Sequence, residues 1–187
     1  YITLIEKMLP RQGVTSYTCT GSGIGGNKVY DLYLRMDSDV IELSPAIVVL
    51  FIGINDVWHR LTKGTGTDAD KFDKFYRAIV YRLQAAGIKV VLCTPPAIGE
   101  KTDFTNPQDE ELDMICGIIR GIAKERDLLL VDLRKALLDY NAANNTQNLD
   151  RGILTTDGVH LTDKGNKLIA GEMWGVLKSL IQRQPNP

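Results

Sequence analysis

The sequence predicts an α/β fold: a three-layer α/β/α sandwich with a central parallel sheet. Apolar segments that favour strands begin near residues 14, 47, 88 and 128, and segments with helical periodicity lie between them. Residues 47–52 form the most apolar segment, so we expect a strand buried on both faces, as in parallel sheets. It ends in Gly53-Ile54-Asn55-Asp56, and open parallel sheets carry their sites at this end of their strands.

The first half of the chain predicts a helix, a strand, a glycine loop and a second helix before the central strand. Residues 2–9 have an amphipathic helical pattern that stops at Pro10 and Gly13, and residues 14–20 alternate as a strand does. The glycine-rich residues 21–26 lead into a helix at about residues 28–36. After the central strand and a polar loop at residues 58–68, Asp68 can cap an amphipathic helix that ends at Gly87.

The second half continues the alternation. Residues 88–93 predict another buried strand, and a polar loop over residues 97–108 precedes an amphipathic helix. Residues 128–133 predict the last strand and residues 135–141 a short helix. An Asn-rich loop leads to residues 155–161, after which Thr162 caps a final helix that ends near Gln182. We expect residues 184–187 to be frayed.

Composition limits the classes of function. The chain has 187 residues, of which 44% are hydrophobic and 24% charged, and this suits a single domain with one core. A formal net charge of -1 provides no basic surface for nucleic acid, and no apolar run approaches the roughly 20 residues of a membrane span. We therefore expect a small-molecule partner. Oligomeric state and localisation, cytoplasmic or secreted, are left open.

The cysteines and the start of the chain have separate implications. Cys19, Cys93 and Cys116 are widely spaced within apolar segments, so we expect small core residues and no disulfide framework or metal site. The chain begins at Tyr1 within a helical pattern, with no initiator Met, signal peptide or preceding strand. We therefore expect the natural protein to contain residues before Tyr1.

Residues 21–26 match the pattern G-x-G-x-x-G between a strand and a helix, which has two interpretations. One is a dinucleotide fingerprint. That fingerprint needs an acidic residue at the end of the next strand, roughly 20 residues on, and here the next strand ends much later, at Gly53. We favour the second, in which main-chain N–H groups of the loop stabilise negative charge that develops on an oxygen.

One of the two histidines, His160, follows Asp157 across Gly158 in a polar loop. This spacing lets one turn fold the carboxylate onto the imidazole Nδ1 and leaves Nε2 free to act as a base. Taken alone, the pair is weak evidence, since a capped loop with an exposed histidine has the same pattern. We expect the other histidine, His59, to be an exposed loop residue that is open to substrate contact.

Taken together, three blocks resemble those of the GDSL/SGNH hydrolase superfamily over essentially the whole chain. They are Gly23-Ile24-Gly25-Gly26-Asn27 followed by Asp31-Leu32 and Arg35, then Gly53-Ile54-Asn55-Asp56, then Asp157-Gly158-Val159-His160-Leu161. Their order and spacing agree with the family. The resemblance implies the flavodoxin-like fold of that family and the activity of a serine esterase, lipase or acetylesterase. It implies no metal and no cofactor.

The resemblance also implies a role for each matched residue. Gly26 would donate its main-chain N–H and Asn55 its side-chain amide to the oxyanion. His160 would be the general base, and Asp157 would orient His160. Three further residues are expected to contact the substrate: Asp56, Trp58 and Val159.

The family's nucleophile, the serine of a Gly-Asp-Ser block that ends the first strand, has no counterpart in this chain. Ser22 is the one serine in a suitable loop, but Thr20 replaces the first glycine of a nucleophile elbow, so Ser22 is not expected to serve. The resemblance places the missing strand between the strands at residues 14 and 47. Residues 1–187 would thus be a single domain without its first strand and nucleophile block, and we expect them to fold poorly alone.

These features predict a serine-type hydrolase that removes a short acyl group, such as acetyl, from a polar or carbohydrate-like alcohol through an acyl-enzyme. The short acyl group follows from the polar loops beside the site, residues 58–68 and 97–108, which contain no long apolar lid. Two alternatives remain open. One is a non-catalytic small-molecule or carbohydrate-binding protein of the same fold, and the other is a nucleotide-binding α/β domain that uses the glycine loop.

Overall fold

A parallel sheet between two layers of helices forms the fold, as the sequence predicts. The structure, a computed structural model, describes residues 1–182. Within them three parallel strands pair in chain order: β1 (Ile47–Phe51), β2 (Lys89–Cys93) and β3 (Leu129–Val131). The register places Ile47 opposite Lys89, and Val91 opposite Leu129. The tail at residues 184–187, which we expected to be frayed, lies outside the described residues.

Helices cover both faces of the sheet. Those in the described residues are α1 (Ile2–Arg11), α2 (Val29–Met36), α3 (Ile54–Lys63), α4 (Ala69–Ala85), α5 (Asp109–Glu125), α6 (Leu133–Asn144) and α7 (Asp163–Gln182). A π-helical turn over Asp37–Ile41 continues α2. Helices α2 to α5 share one apolar core with the sheet, and α1, α6 and α7 share a second core on the other face.

The cores contain the residues that the sequence periodicity indicates. Phe72, Tyr76, Ile79 and Leu83 of α4 are each at most 2% exposed, and they recur every three or four positions. One side of α4 is therefore buried against the sheet and α5. In the middle strand β2, the last four residues are all buried, because this strand has neighbours on both sides and helices on both faces.

Residues 14–20, predicted to be a strand, are irregular, so that prediction is wrong. Within residues 1–182 they pair with no strand of the sheet, and the side of β1 that faces away from β2 has no strand partner. An alternating side-chain pattern stabilises a strand only where the main chain also finds a hydrogen-bonding partner. The expectation that β1 is buried on both faces is wrong, because Leu50 is its one buried residue and the other four are partly exposed, at the edge of the described sheet.

Several element ends also differ from the expectation. Helix α3 lies where a polar loop was predicted, and it ends at Gly64, which adopts a left-handed conformation with φ of +65°. Helix α1 continues through Pro10 to Arg11, since proline fits the helical φ and costs one hydrogen bond near the helix end. Strand β3 is three residues long, shorter than predicted.

All three cysteines are free, and Cys93 and Cys116 are core residues as expected, while Cys19 is partly exposed. Burial raises the pKa of the Cys116 thiol to about 12, so this thiol is unreactive at neutral pH. Within residues 1–182, no helix has the length and apolar composition needed to cross a bilayer. In the same residues, no group of three or more histidines, cysteines or carboxylates is arranged to hold a metal ion.

Candidate active site

The carboxyl end of β1 carries the second motif. Gly53 has φ of +124° and turns the chain from β1 directly into α3. A side chain at this position would meet Ile115 at 3.2 Å and Pro95 at 3.3 Å, so glycine alone combines the backbone freedom and the small size that the turn requires. Asn55 and Asp56 therefore lie in the first turn of α3, at the edge of the sheet where the sequence predicts a site.

Asn55 connects this turn to the glycine loop. Its Nδ2 donates a hydrogen bond to the main-chain oxygen of Asn27 at 3.0 Å. An amide nitrogen has two hydrogens, so the second N–H of Asn55 is available to a ligand. Gly26 precedes Asn27 with φ of +84°, and within residues 1–182 its main-chain N–H donates to no acceptor. The two predicted oxyanion donors are thus neighbours in the structure.

Asp56 lies inside the protein, in contrast with the substrate contact expected from the sequence. Its side chain is fully buried, and its two oxygens accept the main-chain N–H of Val29 at 3.2 and 3.3 Å. Burial raises the pKa of the Asp56 carboxyl, although the hydrogen bond from Val29 opposes the shift. Asp56 joins the start of α2 to α3, and a substrate cannot reach it.

Asp157 and His160 form a hydrogen-bonded pair, as their spacing predicts. His160 Nδ1 lies 2.7 Å from Asp157 Oδ2, while Asp157 Oδ1 accepts the main-chain N–H groups of Val159 at 3.0 Å and His160 at 2.8 Å. Partial burial disfavours the charged carboxylate, but these hydrogen bonds outweigh it and lower the pKa of Asp157 to about 2. The ionised Asp157 holds the proton of His160 on Nδ1, which leaves Nε2 as the acceptor.

Aromatic rings connect this pair to the glycine loop. The Trp58 ring lies edge-on to the His160 ring, with ring centroids 5.6 Å apart. The centroid of the Trp58 ring is also 5.5 Å from the centroid of the His59 ring. A side chain added at Gly26 would lie 3.8 Å from His59 Cε1. A row of neighbouring residues thus connects the glycine loop to the candidate base: Gly26 lies beside His59, His59 beside Trp58, and Trp58 beside His160.

His59 is not the exposed loop residue that the sequence suggested. It lies on α3 and is 3% exposed. Burial, together with the nearby cations of Lys63 and Lys28, lowers the pKa of His59, so this imidazole is neutral near pH 7. His59 is therefore a largely buried residue that lies next to the glycine loop at Gly26.

A cleft of about 290 Å³ opens beside Asp157. Trp58 and Val159, both expected to contact the substrate, line it together with Asp157. The polar loop after β2 and the segment before Asp157 also line the cleft, with Lys101, Asn106 and Asp150 among their residues. The cleft is thus walled mainly by the polar loops identified in the sequence.

Ser22, which the sequence does not predict to be the nucleophile, bonds to residues of helix α2 and the π-helical turn that follows it. Its Oγ donates to the main-chain oxygen of Asp39 at 3.3 Å, and its own main-chain oxygen accepts from Arg35 at 2.6 Å. Within residues 1–182, no serine or cysteine side chain is hydrogen bonded to His160.

The main chain at Tyr1 lies close to the loop that carries His160. The Tyr1 nitrogen donates to Asn166 Oδ1 at 2.8 Å, and Asn166 Nδ2 in turn donates to the main-chain oxygen of Thr162 at 3.0 Å. The Tyr1 ring packs edge-on against Phe51, the last residue of β1, with centroids 5.7 Å apart. Tyr1 therefore sits at the same edge of the sheet as the candidate site.

The sequence does not predict two buried polar residues near Asp157, Glu100 and Thr155. Glu100 is 1% exposed and Thr155 fully buried, and they bond to each other. A glutamate in a polar loop has the sequence signature of a solvated side chain. No spacing rule connects it to a partner 55 residues later in the chain.

Comparison with known proteins identifies the family of this chain. Residues 2–168 match the GDSL-like lipase/acylhydrolase family. The crystal structure of the acetyl xylan esterase AlAXEase is 55% identical, has a TM-score of 0.91, and overlaps 94% of this chain and 89% of its own. An acetylxylan esterase of Geobacillus stearothermophilus is 29% identical over 174 residues, which are 90% of this chain and 74% of that protein. A catalytic mutant of Axe2, an acetylxylan esterase from the same organism, is 25% identical with a TM-score of 0.81 over 95% of this chain and 80% of its own.

Proposed function

The chain belongs to the GDSL-like lipase/acylhydrolase family and is a carboxylic ester hydrolase, and we propose that it removes acetyl groups from a carbohydrate. The observation that carries the proposal is the Asp157–His160 pair, whose 2.7 Å contact leaves Nε2 of an exposed histidine free, with Asp157 at the wall of a cleft. The similarity to acetylxylan esterases supports acetyl as the acyl group and an acetylated xylan or its oligosaccharides as the substrate.

In the proposed reaction, His160 is the general base and Asp157 orients it. A serine hydroxyl attacks the acetyl carbonyl carbon while His160 Nε2 takes the hydroxyl proton. The Gly26 N–H and the second N–H of Asn55 stabilise the oxyanion of the tetrahedral intermediate. The intermediate expels the sugar alcohol, which takes the proton from His160. Water then gives a proton to His160 as it attacks the acetyl-enzyme, and the second tetrahedral intermediate expels the serine oxygen, which takes that proton back from His160. The products are the free serine hydroxyl and acetic acid, which ionises to acetate at neutral pH.

The nucleophile is proposed to be a serine that precedes Tyr1 in the natural protein. Two observations support this position. The main-chain nitrogen of Tyr1 lies within hydrogen-bond distance of Asn166, next to the His160 loop, and β1 has an open side on which another strand can pair. A strand paired there in parallel would end near Phe51, at the edge that carries the site. Such a strand would complete one domain with residues 1–187.

Labelling of the full protein with a serine-directed phosphonate tests the position of the nucleophile. We expect a single labelled serine in a peptide that precedes Tyr1, and His160→Ala should prevent the labelling. A label on Ser22 would refute the proposed position. Absence of both label and ester turnover in the folded protein would refute the reaction itself, and would favour a carbohydrate-binding protein.

The oxyanion donor is tested by Asn55→Ala. Loss of one such donor costs roughly 10²–10³ in kcat. Asn144→Ala is a matched control, because Asn144 Nδ2 also donates to a main-chain oxygen, that of Tyr140 at 2.8 Å, but lies on helix α6, which carries none of the proposed site residues. We expect kcat on acetylated xylooligosaccharides to fall for Asn55→Ala only. Equal kcat values for both variants would remove Asn55 from the mechanism.

Acyl-chain selectivity tests the proposed short acyl group. Among aryl acetate, butyrate and octanoate, we expect the highest kcat/KM for the acetate, because the similar proteins are acetylxylan esterases. A higher kcat/KM for octanoate than for acetate would contradict a short-acyl substrate.

A further inference from the structure

The carboxylate of Glu100 is enclosed by the segment that leads to Asp157. Its Oε2 accepts the main-chain N–H of Ile153 at 2.8 Å, and its Oε1 accepts the N–H of Leu154 at 2.8 Å. Oε1 also accepts the N–H of Thr155, and the Thr155 hydroxyl at 2.6 Å. All these partners are donors, which is the hydrogen-bonding pattern of a carboxylate that acts only as an acceptor.

This arrangement is unusual for a buried acid, because burial of a carboxylate is costly unless other groups compensate for the lost water. Within residues 1–182, no lysine or arginine forms an ion pair with Glu100. The compensation comes from main-chain N–H groups of three consecutive residues, 153–155. The Glu100 carboxylate can therefore be accommodated only when residues 153–155 adopt this conformation.

Thr155 extends the contact from Glu100 to the turn between Asp157 and His160. Because the Thr155 hydroxyl gives its hydrogen to Glu100, its oxygen is free to accept the main-chain N–H of Gly158 at 3.1 Å. The oxygen of Gly158 accepts the N–H of Gly99 at 2.8 Å. Gly158 is thus held on both sides, by Thr155 and by the residue before Glu100.

We propose that Glu100 and Thr155 are positioning residues that hold the Asp157–His160 turn in its paired geometry. Glu100 fixes the hydroxyl direction of Thr155, and Thr155 fixes Gly158, the residue that follows Asp157. Neither side chain touches the substrate, and both act through the contact between Asp157 Oδ2 and His160 Nδ1. The inference rests on the proposed function, in which that contact orients the base.

Thr94 provides a matched control. It is also fully buried, its hydroxyl donates to a carboxylate, Asp132 Oδ1 at 3.1 Å, and its oxygen accepts a main-chain N–H, that of Arg134 at 3.0 Å. These contacts join β2 to the start of α6, which carries none of the proposed site residues. Thr94 and Thr155 therefore make the same two kinds of hydrogen bond in different parts of the protein.

The experiment compares Thr155→Val, Thr155→Ser and Thr94→Val in the full protein, with kcat and KM measured on aryl acetate. Valine removes the hydroxyl at nearly constant volume, and serine retains it. We expect Thr155→Val to lower kcat by about tenfold to 10²-fold with KM within twofold, since a small displacement of a catalytic group has effects of this size. Thr155→Ser should restore kcat to within about threefold of the parent, and Thr94→Val should leave kcat within the same range.

The same substitutions in an Asp157→Asn background separate positioning from a general loss of structure. If Thr155 acts through the Asp157–His160 contact, Thr155→Val should cost less than about threefold once Asp157 is replaced. An equal loss of kcat in both backgrounds, or parental kcat in Thr155→Val, would overturn the inference. Parental turnover in Asp157→Asn would refute the orienting role of Asp157 and the inference with it, whereas absence of turnover in the folded parent protein would refute the proposed function, so the two failures are distinguishable.

Discussion

Two segments of this chain have the spacing Asp-x-x-His, and only one of them forms a pair. In Asp157–His160, the side chains are 43% and 67% exposed, and their contact is 2.7 Å. In Asp56–His59, the aspartate is fully buried and the histidine is 3% exposed. Asp56 bonds to Val29 at the start of another helix. An identical spacing therefore yields a candidate catalytic pair in one place and two separate structural residues in the other.

The backbone between the two residues makes the difference. Gly158 has φ of +94°, which lets the Asp157 carboxylate fold back onto the main-chain N–H groups that follow it and onto the imidazole. Val57, at the corresponding position of the other segment, belongs to the regular helix α3 and is fully buried. In that helix, Asp56 contacts Val29 of α2 while His59 lies beside the Trp58 ring, so the two side chains have different partners. The Asp-x-x-His spacing therefore indicates a catalytic pair only where the local backbone conformation brings the two side chains together.

The largest expected effect separates the two histidines. His160→Ala should lower kcat on aryl acetate by at least about 10⁴-fold, because it removes the proposed general base. His59→Ala should leave kcat within about tenfold of the parent and lower the free energy of unfolding by about 1–3 kcal/mol, because a buried side chain is lost. Turnover kinetics and urea unfolding measure the two quantities. A folded His59→Ala protein without turnover would reverse the assignment.

A smaller effect is expected for the two aspartates. Asp157→Asn should lower kcat by roughly 10²–10⁴-fold, less than His160→Ala does, because an amide partly replaces the orienting carboxylate. Asp56→Asn retains an oxygen that accepts the Val29 N–H, and we expect its kcat to stay within about tenfold of the parent. Steady-state kinetics of both variants provide the test, and a greater loss in Asp56→Asn than in Asp157→Asn would contradict the comparison.

The next comparison is between the residues that directly follow the two aspartates, Gly158 and Val57. Gly158→Ala should lower kcat about tenfold and the free energy of unfolding by about 1–3 kcal/mol, because φ of +94° strains a side-chain-bearing residue. In addition, the new methyl group would lie 3.2 Å from the main-chain nitrogen of Gly99. Val57→Ala should cost about 1–3 kcal/mol through lost packing while kcat is retained. If kcat falls equally in both variants, loss of stability rather than loss of the turn explains the effect.

The smallest effect is the pH dependence of stability, and the two aspartates should differ in sign. Asp157 has a pKa lowered to about 2, so its ionised form stabilises the folded protein above pH 4. This contribution is lost as pH falls towards 2, and it should stay below about 1 kcal/mol because the pair is exposed. Asp56 has a raised pKa, so its contribution is present below the ordinary aspartate pKa and is lost as pH rises through the folded value.

Urea unfolding of the parent, Asp157→Asn and Asp56→Asn between pH 2 and 6 measures these contributions. The deficit of Asp157→Asn relative to the parent should shrink as pH falls. Asp56→Asn should gain stability relative to the parent as pH rises, because asparagine mimics the protonated acid. A common pH trend in both variants would contradict the opposite shifts.

Much of the fold could be predicted from the sequence because the signals are local. The apolar positions of α4 and α5 recur at the helical period, and the apolar segment of β2 is flanked by breakers, so the structure has these elements within a few residues of the expected ends. Residues 14–20 show the limit, since their alternation is real but their hydrogen-bonding partner is not specified locally. Helix α3 was missed because the turn at Gly53 and the packing of α3 are set by residues far along the chain.

The same distinction applies to the candidate site. By itself, the sequence determined the Asp157–His160 contact, because a glycine within a short turn is enough to close it, and it determined the position of Asn55 at the end of a strand. The tertiary structure alone decided that Asp56 and His59 are buried, that Trp58 lies against His160, and that Glu100 reaches the segment before Asp157. These contacts join residues that are distant in the chain, and their energies depend on burial and packing, which no spacing of residues encodes.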